Sequence, residues 1–270
     1  MSSDALSTFA RKSCFLRILL VGMLLIVIEA SFSQSAVIQA AEISGQVLTG
    51  GGFPAPPLHP AKIIIQLAVV GGLLAFWTFR PDPLRRVLQI GIAAEVAYAM
   101  LQDQISVRLC PEYFTVAHPR IEGLTDPTLL GLAWGFLGAW WGGALIGAFT
   151  GFAARVGHWP KLNPQELLCP TAWLLLFQAG VTAAAGWIAT YEVSEPGFMI
   201  IESLASHIPV ERHNACYIVS RMHQGTYLSA IAGGAFICGW IFQRRRLREV
   251  MQNENHENQN LQITVAETRS

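Results

Sequence analysis

The chain has 270 residues, is 52% hydrophobic and only 13% charged, and balances 18 basic against 18 acidic residues. Ordinary soluble domains carry about 25% charged residues, so this composition excludes one, and the zero net charge gives no footprint for nucleic acid or an acidic partner. The apolar residues gather into blocks of roughly 17 to 28, the length a helix rising ~1.5 Å per residue needs to cross a ~30 Å hydrocarbon layer. The expected fold class is therefore all-α: a polytopic transmembrane helix bundle with five or six spans.

In chain order, Arg11, Lys12 and Arg17 precede an apolar run from Ile18 to Ile28, followed by a Ser/Ala-rich stretch. Residues 1–41 thus read as a signal peptide or a first transmembrane helix; the short run suits the former, with small residues at Ala36, Ala40 and Ala41 for cleavage. Gly45 to Pro60 is rich in Gly and Pro and reads as an exposed linker. Spans are expected at Ile63–Phe79, Val87–Leu101, Thr128–Arg155, Glu166–Thr190 and Thr226–Phe242. The second is short and carries Glu95. The third starts cleanly, with Asp126 as N-cap and Pro127 in the first turn. The bundle then covers residues 42–243, with polar loops at 102–127 and 191–224, and residues 244–270 form a polar, disordered cytoplasmic tail.

Basic residues set the orientation, because cytoplasmic loops retain Lys and Arg. With the N-terminus inside, 13 of the 18 basic residues fall on the cytoplasmic side; only Lys62, Arg108, Arg120, Arg212 and Arg221 lie outside. The C-terminus is accordingly cytoplasmic and the two polar loops face outward.

Within the Thr128–Arg155 span, Gly131, Gly135, Gly138, Gly142, Gly143, Gly147 and Gly151 recur at spacings that build a small-residue ridge. Little hydrophobic force draws helices together in lipid, so association relies on close approach, which glycine permits. This helix is expected at the centre of the bundle.

A charged residue in mid-span costs roughly 2.5–3.5 kcal/mol on insertion scales, so Glu95 should face the bundle interior or a wet cavity. Glu95, Tyr98, Gln102 and Ser106 share one helical face, and His213, Tyr217, Ser220, Gln224 and Tyr227 form a second polar stripe leading into the last span. If the stripes oppose one another they line a cavity opening outward, with Glu95 at its floor and arginines such as Arg120 at its rim. The outer histidines His59, His118, His207, His213 and His223, with Asp103, Glu112, Asp126 and Glu202, offer nitrogen and oxygen ligands. Their spacing follows no metal-binding motif, and no residue pattern assigns a cofactor. Of the five cysteines, Cys110 and Cys216 alone face outward, and an oxidising compartment would let them bridge the two polar loops. Nucleotide-binding and serine-hydrolase signatures are absent from the sequence.

The segment DQISVRLCPEYFTVAHPRI, followed by TDPTLLGLAWGF and the glycine-rich helix, resembles part of an uncharacterised family of bacterial multi-pass membrane proteins. The likeness covers roughly residues 95 to 156. It implies a bacterial cytoplasmic membrane and draws attention to Asp103, Gln104, Glu112, Tyr113, Phe114, His118 and Pro119, but implies no activity. Three functions stay open. The first is a small transporter, channel or transport-accessory protein with a polar outward-facing cavity; the second is a membrane-embedded enzyme with an outer carboxylate and histidine site; the third is a sensor or assembly scaffold offering its outer loops to a protein partner. The lipid bilayer is the partner common to all three.

Overall fold

The structure is a computed structural model that describes residues 57–79, 82–200 and 202–268. The expected signal segment and most of the Gly/Pro linker lie outside the described residues. The described chain is helical, and no strand occurs among the described residues apart from an isolated bridge between Leu58 and Ile121. That bridge modifies the linker reading: Leu58 donates its N–H to the Arg120 carbonyl at 2.7 Å and accepts from Glu122 at 3.1 Å, so the end of the linker is pinned.

Seven α-helices follow: α1 (Pro60–Phe79), α2 (Pro83–Leu109), α3 (Pro111–Thr115), α4 (Pro127–Arg155), α5 (Leu168–Glu192), α6 (Glu202–Ala205) and α7 (His213–Glu267), with 3-10 turns at Pro164–Leu167 and Val210–Arg212. Among the described residues three helical segments are long and apolar enough to cross a membrane: Pro127–Arg155, Pro164–Glu192 and Val210–Glu267; Pro60–Phe76 is apolar but shorter. Large apolar side chains such as Leu145, Phe149, Leu176, Trp187 and Ile231 point outward and stay exposed. Such an exposed apolar belt suits a lipid environment and would be a liability in water.

The helix starts follow sequence chemistry. Asp126 accepts from the Leu129 N–H at 2.8 Å with Pro127 in the first turn of α4, as expected. Asp82 caps α2 in the same way through Leu84 at 2.9 Å, with Pro83 next. This second cap starts α2 before the expected Val87, and the helix runs to Leu109 rather than Leu101. Arg85, Arg86, Asp103 and Arg108 make α2 less apolar but do not interrupt the helix. The first polar loop is correspondingly shorter than 102–127, and the second ends at Arg212 because α7 begins at His213.

The glycine ridge of α4 packs against α2, the most extensive helix pair among the described residues. A Cβ on Gly143 would sit 2.6 Å from the Gly91 carbonyl oxygen, and one on Gly91 would sit 2.6 Å from the Gly143 carbonyl oxygen. The two backbones therefore touch with no room for a methyl group. Gly131, Gly135, Gly147 and Gly151 extend this seam, whereas Gly142 faces open space and Gly138 nears only the Tyr227 hydroxyl. α5 and α7 complete the bundle.

The bundle has a cationic end and a loop end. At the cationic end Arg245 is fully buried and donates to the carbonyls of Pro160 (3.1 Å), Ala153 (2.5 Å) and Trp159 (2.9 Å). It thereby satisfies carbonyls in and beyond the last turn of α4. Arg248 pairs with Glu166 beside it. Beyond Arg244, where a disordered tail is expected, α7 instead continues as helix to Glu267, with every residue from Met251 to Thr268 exposed. Polarity alone suggests disorder, but the segment contains no Gly or Pro to stop a helix that is already nucleated.

Candidate functional site

A column of buried and half-buried polar groups rises along α2 from mid-helix to the loop end. At its base Glu95 is 7% exposed and accepts from the amide nitrogen of the fully buried Gln178 on α5, at 3.0 and 3.2 Å to its two oxygens. A small void beside Glu95, lined by Thr150, Thr171, Leu174 and Ile237 among others, extends toward the cationic end. One turn up α2, the Tyr98 hydroxyl lies 2.9 Å from Thr182 Oγ1, Thr182 lies 2.7 Å from Thr226 Oγ1 on α7, and Thr226 donates to Gln102 Oε1 at 2.7 Å.

With Gln102 Oε1 an acceptor, the proton between Thr226 and Gln102 belongs to Thr226, the next to Thr182 and the last to Tyr98. Three hydroxyls thus form one directional chain crossing three helices. Above it, Asp103 Oδ1 lies 3.4 Å from His223 Nε2, both groups being buried. Gln102 Nε2, Ser106 Oγ and His223 Nε2 are buried without a hydrogen-bond partner.

Around this upper rung, aromatic rings close the loop end. Tyr113 lies 4.8 Å from His223 and 4.9 Å from His118 between ring centres, and His118 lies 4.7 Å from Trp134. The His118 ring nitrogen Nδ1 is 2.9 Å from the Tyr113 carbonyl, which makes Nδ1 the protonated nitrogen in a neutral ring.

Two ionic clusters flank the column. Glu192 accepts from the Tyr217 hydroxyl at 2.9 Å and lies 3.4 Å from buried Arg221. Arg212 meets Glu112 at 3.2 Å and also donates to the Leu109 carbonyl at 2.7 Å. Burial alone would raise the Glu112 carboxyl, but hydrogen bonds from its own backbone N–H, the Cys110 thiol and Arg212 outweigh it and hold the group below the usual range. Cys110 and Cys216 are free thiols that lie in one buried cluster with Ile208 and Val219.

The sequence-derived candidates are therefore distributed over several environments. Glu95, Tyr98, Gln102 and Asp103 share the column. Glu112 joins the thiol cluster, His118 the aromatic group and Tyr217 the Glu192 cluster, while His213 contacts the Ile208 carbonyl at 2.9 Å and Arg120 is exposed. Of the expected α7 stripe, Tyr217 reaches Glu192 at the end of α5, while Met222, His223 and Thr226, outside that stripe, meet Gly186, Asp103, Thr182 and Gln102. Polarity finds only part of the face because α7 mixes aliphatic side chains with its hydroxyl and imidazole. Tyr98, Thr182, Thr226 and Gln102 meet directly at hydrogen-bond distance. Gln178, Thr182 and Thr226 escape the sequence reading; the available signal is two polar residues four apart inside an otherwise apolar α5. Among the described residues no three His, Cys, Asp or Glu side chains gather to hold a metal ion.

An all-helical bundle with an apolar exterior and a buried polar column is a helical membrane protein. No family model, no curated protein and no solved structure matches the chain.

Proposed function

We propose that this chain is a small transport-class protein of a bacterial cytoplasmic membrane, in which the polar column carries protons between Glu95 and the loop end. The carrying observation is the directed hydroxyl chain from Tyr98 through Thr182 and Thr226 to Gln102. Hydroxyls linked in sequence and partly shielded from solvent can pass a proton by reorienting in turn, and ionisable residues at membrane depth usually serve such pathways. In this reading α1 and α2 also cross the membrane, giving five spans in the described chain. α2 supports that reading by running alongside α4 for nearly its full length, its charged and polar groups inward or at the ends. The gathering of Arg155, Lys161, Arg245 and Arg248 at one end supports a cytoplasmic C-terminus and outward-facing loops.

The test is proton uptake into proteoliposomes under a potassium-diffusion potential, read by an internal pH dye. Wild type should acidify the lumen; Glu95→Gln should abolish the signal and Thr226→Val should slow it strongly, while the melting temperature stays close to that of wild type. Unchanged flux in Glu95→Gln, with a large loss of stability, would make Glu95 purely structural.

The second reading, an outward-facing enzyme, draws on one observation: Asp103 faces His223, and Ser106 one turn along α2 has an unpartnered hydroxyl. A carboxylate that orients a histidine base is the arrangement acid–base chemistry requires. Turnover that is lost in His223→Gln while proton flux persists would favour it.

A further inference from the structure

We infer that Cys110 and Cys216 form a disulfide bond that fixes the loop end of α2 to the first turns of α7. The inference uses the outward orientation proposed above and is independent of the proton path.

Three features of the junction lead to it. Cys110 ends α2 and starts α3, and it is 0% exposed; Cys216 sits in the first turn of α7 and is 2% exposed. They pack together with Ile208 and Val219 in one buried cluster. The same junction is already held in register by Arg212, one turn before Cys216, which binds the Leu109 carbonyl and the Glu112 carboxylate on either side of Cys110. Residue 212, one helical turn before Cys216, is thus held against residues 109–112, and this brings the start of α7 to the end of α2 that carries Cys110. The bond would close residues 111–215 into a loop that includes α4 and α5.

The bond forms by thiol–disulfide exchange. The Cys110 thiolate attacks a disulfide-bearing oxidant of the outer compartment, forming a mixed disulfide and releasing one oxidant thiol. The Cys216 thiolate then attacks the Cys110 sulfur and expels the second oxidant thiol. The protein loses two hydrogens and two electrons pass to the oxidant, which takes up both protons as two thiols. Because both sulfurs are enclosed in the folded bundle, the exchange occurs before the helix ends pack.

The test uses the full chain solubilised from membranes whose thiols were first trapped with a maleimide in SDS. Without reductant, the Cys110 and Cys216 peptides should appear as one linked species with the mass of two hydrogens missing; after reduction, both should take up maleimide. Labelling of both cysteines without reductant overturns the bond, as does either cysteine found linked to another thiol. A membrane-impermeant maleimide applied to intact cells carrying Glu195→Cys shows whether the orientation fails with it. Labelling of the introduced thiol from outside, together with free Cys110 and Cys216, rejects the bond alone. Protection of the introduced thiol rejects the orientation on which the bond rests.

Discussion

Gly91→Ala is the sharpest perturbation of the α2–α4 seam. The added methyl group would lie 2.6 Å from the Gly143 oxygen, 2.7 Å from Gly147 Cα and 2.8 Å from Gly147 N, all backbone atoms that cannot swing aside. Restoring ordinary contact at about 3.4 Å requires the helices to part locally by ~0.7 Å, and a gap of that size forfeits a quarter to a half of each dispersion contact. With about 30 heavy-atom pairs along the seam at ~0.15 kcal/mol each, the loss is roughly 1–2 kcal/mol. The internal control is Gly142→Ala on α4, where nothing lies within 4 Å of the new atom. There the change should be neutral, or stabilising by up to ~1 kcal/mol through helix propensity. Reversible unfolding in mixed micelles with increasing SDS, followed by tryptophan fluorescence and circular dichroism, measures both. A Gly91→Ala loss within ~0.5 kcal/mol of Gly142→Ala would refute close backbone packing as the force holding this pair.

Two further outcomes follow from single residues. Arg245→Met should destabilise by about 3 kcal/mol in the same assay, because the carbonyls of Ala153, Trp159 and Pro160 lose a shared donor; Arg245→Lys should recover only part, since an ammonium lacks the planar fork. The Glu112–Arg212 contact should make stability depend on acid pH. The folded carboxyl titrates below its ordinary 4.5, so its contribution is present above that value and is lost as pH falls through the lower folded one. Melting temperatures measured across the acid range should fall less steeply for Glu112→Gln than for wild type. Parallel curves would leave this ion pair without a role in stability.

The elements most legible in the sequence are those set by local chemistry. Asp126 and Pro127 announce the start of α4, and its glycine spacing announces a packing face, of which Gly131, Gly135, Gly143, Gly147 and Gly151 meet α2. α2 is harder to read, because averaging hydropathy over a whole helix blurs a lipid-facing apolar side with an interior side that carries Glu95, Gln102 and Asp103. Glu95 can be singled out from its cost in a membrane, but its partner Gln178 cannot. The pairing depends on how α5 is rotated against α2, and no sequence spacing encodes that rotation. α7 shows the same difficulty in another form, since Cys216, Val219, His223 and Thr226 share a buried face that is mixed in polarity and carries no stripe to detect. Composition likewise misreads residues 251–267, where continuation of an existing helix outweighs weak intrinsic preference.

The most direct test of the proton path is infrared difference spectroscopy of the lipid-reconstituted protein, recorded across a pH step applied on the loop side. A carboxyl C=O band that appears with the step, vanishes in Glu95→Gln and responds more slowly in Thr226→Val is the expected result, because it shows Glu95 exchanging protons through the hydroxyl chain. A band unaffected by Thr226→Val, or no Glu95 band at any pH, would contradict it.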